Sequence, residues 1–258
     1  MPTTKRVEFP GARGHALAAS LELPAGTPSS FALFAHCFTC SKDYKAVVRI
    51  SRALAADGVA VCRFDFTGLG ESKGEFADTN FSSNLEDLKA AAEFLRREYE
   101  APQLLVGHSL GGAAILAAAA SMPEARAVVT IAAPSDTEHL VSRLQTMAPE
   151  LASTGEGTIT LAGRPFRVRR QLLLDLKSHN MECYVRDLGR PLLIIHSPDD
   201  RTLSIDHAER LFAMASQPKT FLAVDGADHL LAERQQDWRF VARIISLWAQ
   251  RYLNPIRA

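Results

Sequence analysis

The sequence predicts an α/β fold, a mostly parallel sheet with helices on both faces. Two observations carry this. Strand-like runs alternate with helix-length stretches along most of the chain, the signature of α/β architecture. Several of the strand-like runs are also apolar without polar alternation, as expected of strands covered on both faces. The length of 258 residues suits one large α/β domain.

The elements follow in order. Residues 15–23 alternate and stop at Pro24, and residues 31–38 form a short apolar run. Residues 44–56 have helical spacing and end at Asp57-Gly58, and residues 59–66 are apolar again. Residues 84–99 form an amphipathic helix with Leu85, Leu88, Ala92 and Leu95 on one side. Strand 103–106, helix 110–121 and strand 127–133 come next. Strand 191–196, helix 205–215, strand 220–224 and helix 238–252 close the chain. Residues 135–185 break this rhythm, with a small hairpin around Ala162-Gly163-Arg164-Pro165 and helical segments beside it. An insertion of that size between core strands is expected to form a small cap over a functional site.

Composition narrows the function. Formal net charge is zero, with 29 basic and 29 acidic residues. No basic excess is present to neutralise phosphates, so nucleic acid is not an expected partner. The N-terminus has no apolar stretch behind its basic residues, and the longest apolar run, residues 111–120, is about half a membrane span. The expectation is a cytoplasmic protein with no membrane insertion; the oligomeric state is not readable. Cys37-x-x-Cys40 has no second pair to complete a zinc site, so these cysteines are expected to be reduced packing residues and no metal is expected.

Gly107-His108-Ser109-Leu110-Gly111 carries the chemistry. A strand precedes this G-x-S-x-G and an alanine-rich helix follows, the context that lifts a serine onto a sharp turn as a nucleophile. On sheets with that turn the general base comes late in the chain, after an acid. Of His139, His179, His196, His207 and His229, only His229 lies in a loop between the last strand and the last helix. His139 and His179 fall in the cap, His196 ends a strand, and His207 is expected on an exposed helix face. The acid should follow strand 191–196. Asp200, in Asp200-Arg-Thr-Leu203, fits best and Asp199 is the alternative, while Asp228 reads as a solvated loop residue. The backbone amides of Phe38 and Leu110 are expected to form the oxyanion hole. Leu140, Leu144, Met147, Phe166 and Leu172 are the cap residues expected to line a substrate pocket. Asp65-Phe-Thr-Gly68-Leu-Gly70-Glu-Ser72 lacks the Gly-Lys-Ser/Thr of a phosphate-binding loop and reads as a structural turn.

On these residues the sequence resembles the α/β-hydrolase superfamily over essentially its whole length. His36-Cys-Phe-Thr-Cys40-Ser-Lys-Asp43, Arg63-Phe-Asp-Phe-Thr-Gly-Leu-Gly70, Asn80-Phe-Ser-Ser-Asn84 and Gly107–Gly112 also resemble the hydrolase domain of bifunctional α/β-hydrolase/OsmC-like proteins. No OsmC-like segment is expected here. The resemblance implies an eight-stranded, mostly parallel sheet, a cap after the sixth strand, and no cofactor. The expected activity is hydrolysis of small to medium carboxylic esters by Ser109, Asp200 and His229. Thioester hydrolysis, another hydrolytic reaction of the same fold, or a non-catalytic ligand-binding module are the rival readings.

Overall fold

The computed structural model describes residues 1–161 and 163–253. It opens with the hairpin β1 (Thr3–Pro10) and β2 (Ala16–Leu23), followed by β3 (Ser30–Ala35). Strand and helix then alternate through α1 (Lys45–Ala56), β4 (Val59–Phe64), α2 (Phe81–Glu98), β5 (Leu104–His108), α3 (Leu110–Ala118) and β6 (Ala127–Ile131). The inserted cap holds α4 (Glu138–Met147), α5 (Leu151–Thr154), the hairpin β7 (Glu156–Leu161) and β8 (Arg164–Arg169), α6 (Arg170–Ser178) and α7 (Met181–Arg186). Ala162, in the expected hairpin turn, lies outside the described residues. Then come β9 (Leu192–His196), α8 (Asp206–Met214), β10 (Lys219–Ala223) and α9 (Gln235–Leu253).

The main sheet has eight strands in the order β1-β2-β4-β3-β5-β6-β9-β10. It is parallel from β4 to β10, and β2 joins β4 antiparallel. Every residue of β3, β4, β5, β6 and β9 is buried, which accounts for their unbroken apolar runs. Helices α1 and α9 cover one face with Val47, Ile50, Leu54, Val241 and Ile245. Helices α2, α3 and α8 cover the other, and Leu144, Ile159 and Leu176 of the cap extend that same core.

β1 and the start of α2 differ from expectation for local reasons. β1 was not anticipated, because as an edge strand it buries only Phe9 and shows no apolar alternation. α2 starts three residues earlier than the periodicity suggests. Asn80 accepts from the Ser83 amide while the Ser83 hydroxyl accepts from the Asn80 amide, a reciprocal cap that moves the start.

The strand order places the site. β3 and β5 are neighbours, with Ala35 beside Gly107, yet the chain leaves β3 toward β4 on one side and β5 toward β6 on the other. The loops after β3 and β5 therefore diverge at the carboxyl ends of the strands and leave a crevice, where open α/β sheets bind ligands. No described helix is long and apolar enough to cross a membrane.

Candidate active site

Ser109 sits between β5 and α3 at φ 54° and ψ −125°, a strained conformation for a residue with a side chain. It is tolerated because the turn is locked on both sides. A Cβ on Gly107 would run into the backbone of Gly111 and Gly112, and one on Gly111 would run into the carbonyls of Ala35 and His36. These glycines let α3 press against both its own strand and the β3 loop.

The Ser109 hydroxyl lies 3.0 Å from His229 Nε2, and His229 Nδ1 lies 2.6 Å from Asp200 Oδ2. Three segments far apart in sequence thus converge in one hydrogen-bonded line. The Asp200 side chain is fully buried. Its Oδ1 accepts from the amides of Thr202 at 2.8 Å and Leu203 at 3.0 Å. Burial pushes the carboxyl pKa up, but hydrogen bonds from His196 and His229 outweigh it and hold the group well below the usual carboxylate range. Asp200 is therefore ionised at neutral pH and holds the proton of His229 on Nδ1, leaving the Nε2 lone pair toward Ser109.

The other acids stand elsewhere. Asp199 accepts from the Gly226 amide at 2.5 Å. Asp228 accepts from the amides of Leu230, Ala232 and Glu233 and shapes the loop that carries His229. The other histidines weighed as the base stand elsewhere too. His179 bonds Ser82 and Tyr184, and His139 lies on the cavity wall against the ring of His207. His207 is buried rather than exposed, because its Nδ1 meets the Ser135 hydroxyl at 2.9 Å under the cap.

Two histidines hold the line in place, and one was overlooked in the sequence. His108, the residue before Ser109, places Nε2 2.8 Å from the His229 carbonyl. Burial pushes its pKa down to about 3, and a positive charge on His229, when it forms, acts in the same direction. His108 is neutral and donates Nε2–H to that carbonyl. His196 Nε2 lies 2.9 Å from the Leu203 carbonyl and 3.4 Å from Asp200 Oδ2, tying the acid loop to the end of β9.

The amides of Phe38 and Leu110 make no hydrogen bond to any acceptor among the described residues. Both residues line one cavity with Ser109 and His229, so a negative oxygen formed on Ser109 would find two unused donors there. The β3 loop carrying Phe38 rests on an ionic network centred on the buried Lys42 and Asp65. Lys42 Nζ contacts Asp65 at 3.0 Å, Asp43 at 2.9 Å and Glu71 at 2.5 Å, and the Lys42 amide donates to Asp65. Burial lowers the Lys42 pKa, but these three carboxylates raise it further, so the ammonium persists. Ser72, at the end of the glycine turn, donates to the Asp65 carbonyl and accepts from the Ala18 amide, the structural role read for that turn. Cys37 and Cys40 are joined in a disulfide, which corrects the expectation of reduced packing residues. A turn with Cys40 N donating to Cys37 O brings their α-carbons to 5.3 Å, within bridging range.

The cavity measures about 330 Å³, near the lower end for small-ligand sites. Leu140, Leu144 and Met147 line it. Phe166 and Leu172 are not on its wall, which corrects the expectation for both. They are buried in the apolar core between the cap and the helix layer beneath, with Phe166 against Phe76. Tyr44, Arg143, Arg164 and Thr202, not singled out in the sequence, are on the wall. Periodicity marks which residues of a segment turn inward, but not what a distant segment adds to the same cavity. No cluster that could hold a metal occurs among the described residues.

The model of the α/β-hydrolase family matches residues 32–244. The chain belongs to the α/β-hydrolase family. The esterase domain of a Rhodothermus marinus protein is 48% identical, with 98% of this chain and 100% of that one covered, at a TM-score of 0.80. Mouse α/β-hydrolase domain-containing protein 10 shares the fold at 21% identity and a TM-score of 0.79, with 96% and 99% covered. Among curated proteins, the uncharacterized protein YfhR of Escherichia coli O157:H7 is 29% identical over 174 residues, 66% of this chain and 53% of that one. The mitochondrial palmitoyl-protein thioesterase ABHD10 of Rattus norvegicus is 29% identical over 119 residues, 46% of this chain and 39% of that one. The chain thus spans about half the length, or less, of these curated relatives.

Proposed function

We propose that this α/β hydrolase is a serine carboxylic-ester hydrolase acting on small to medium acyl esters. The observation that carries the reading is the unbroken line from Ser109 through His229 to Asp200, at 3.0 and 2.6 Å, opening onto a cavity with two unbonded amides. The esterase domain 48% identical to this chain supports it. In the proposed reaction, His229 Nε2 takes the Ser109 proton as Oγ bonds to the ester carbonyl carbon. The carbonyl oxygen takes up the negative charge between the amides of Phe38 and Leu110. As the carbon–oxygen bond to the leaving alcohol breaks, His229 returns the proton to that oxygen. Water, deprotonated by His229, then attacks the acyl-Ser109 carbonyl, and Oγ leaves with the proton to restore the serine. Either missing amide would cost about 100- to 1,000-fold in turnover.

A thioester substrate is the second reading. The palmitoyl-protein thioesterase relatives favour it, and the same residues serve a thiolate leaving group. Within the family we place the chain beside the hydrolase domains of OsmC-like bifunctional proteins, on the strength of residues 36–43 and 63–70. The test is turnover of p-nitrophenyl esters from acetate to octanoate, with matched thioesters in parallel and Ser109→Ala beside the wild type. Wild-type ester turnover that falls to background in the variant is expected. Thioester turnover alone would move the assignment to the second reading, and a fully active variant would remove Ser109 from the mechanism.

A further inference from the structure

We propose that the substrate carries an anionic group, a carboxylate or a phosphate, which Arg143 and Arg164 bind on the cap side of the Ser109 cavity. This rests on the hydrolase reading above and names the class of substrate it would take.

Both arginines share the cavity wall with Ser109 and His229. Arg143 comes from α4, four residues after His139 and four before Met147, so the helix turns it to the same side as those two wall residues. Arg164 opens β8 and reaches the wall from the hairpin. Among the described residues no aspartate or glutamate lines this cavity, and neither guanidinium has a carboxylate at ion-pair distance. The contrast on β8 is direct. Arg167 and Arg169 pair with Glu156, and Arg169 also pairs with Asp78, whereas among the described residues Arg164 meets no carboxylate and lies over the ring of Phe166, 5.6 Å from its guanidinium carbon. That contact supports the side chain without neutralising it.

The chain as a whole has no net charge, yet two cations without a carboxylate partner among the described residues stand on a cavity wall whose cap side also presents Leu140, Leu144, Met147 and Leu161. Each planar guanidinium presents a fork of donors that matches a carboxylate or phosphate. An acyl chain on the leucines with an anion at its remote end satisfies both parts of the wall, while a neutral ester satisfies only the first.

The test compares three p-nitrophenyl esters of similar length: the hemiester of adipic acid, the ester of 5-phosphonopentanoic acid, and the adipate hemiester capped as its neutral methyl ester. The wild type should favour at least one anionic ester over the neutral one by roughly tenfold in kcat/KM. The preferred arm tells carboxylate from phosphate. In R143Q/R164Q the ratio should fall to about one, and in Arg167→Gln, outside the cavity, it should persist. Calorimetric binding of adipate and of 5-phosphonopentanoate to Ser109→Ala needs no turnover, so it reads the anion site even if the ester reading fails. At least one anion should bind, and adding R143Q/R164Q should weaken it about tenfold. A wild type that treats all three esters alike, no binding of either anion, or a ratio unchanged in the double variant would overturn the proposal.

Discussion

The two walls of the Ser109 cavity are built on different principles. On the sheet side the reacting groups are held by fixed partners: the buried Asp200 by two amides and two histidines, His229 by Asp200 and His108, and the Phe38 loop by Lys42 on Asp65. On the cap side, beside the half-buried His139, stand two exposed arginines that have no acidic partner among the described residues, above leucines and a methionine. Atoms that take part in bond making require fixed geometry. Groups that select a substrate can stay solvated until one arrives. Changes to the sheet wall should therefore act on turnover, and changes to the cap wall on KM and selectivity.

The largest break in that contrast is Asp200→Asn. The amide would hold His229 without the charge and favour the wrong tautomer, so kcat should fall by about 10⁴-fold with little change in KM. A loss confined to KM would erase the distinction between the walls. Next is Gly111→Ala, whose Cβ would meet the carbonyls of Ala35 and His36 and push the β3 loop away from Ser109. We expect a loss of about 100- to 1,000-fold in kcat, as for a missing oxyanion donor. Full activity would show that the Phe38 amide is not needed.

Leu144→Ala sharpens the contrast from the other side. Leu144 is buried at the base of the cap and also faces the cavity. Its truncation should raise KM for an octanoate ester by about 10- to 100-fold, since lost pocket contact of this kind costs about 1–3 kcal/mol. Turnover of acetate should change little, and a collapse of kcat would show that the cap positions the reacting atoms.

The smallest effect tests the held histidine. His108 has a pKa of about 3 in the folded chain, against an ordinary value near 6.5. Below pH 6.5 the unfolded chain takes up a proton that the folded chain refuses. The stability His108 supplies is thus complete above pH 6.5 and is lost as the pH falls toward 3, by up to about 1.4 kcal/mol per pH unit. In His108→Gln, which keeps a donor, urea unfolding at pH 7.5 and 5.5 should show a shallower loss than the wild type. Equal slopes would mean that His108 is not buried neutral.

The same asymmetry explains what could be read from the sequence. The sheet wall is encoded locally: Gly107–Gly111 and Asp200–Leu203 show the turn each forms, and chain order then singles out His229. The buried strands are as legible, because burial on both faces leaves an apolar run. β1 was missed because an edge strand needs no such run. His108 is visible inside the motif, but its bond to the His229 carbonyl spans 121 residues and leaves no local trace. The cap is where pattern fails most. Leu140, Leu144 and Met147 follow from the helical period, whereas Phe166 and Leu172 are equally apolar and pack inward. Arg143 and Arg164 read as ordinary surface charges until the fold shows that no acid among the described residues answers them.

The most direct test of the central claim is covalent. The protein is treated with a serine-directed fluorophosphonate, digested, and its peptides are mapped by mass spectrometry, with Ser109→Ala and His229→Ala treated alongside. One adduct is expected, on the Ser109 oxygen, absent from the Ser109 variant and formed much more slowly in the His229 variant. Ester turnover by a wild type that takes up no label at Ser109, or equal labelling of the His229 variant, would contradict it.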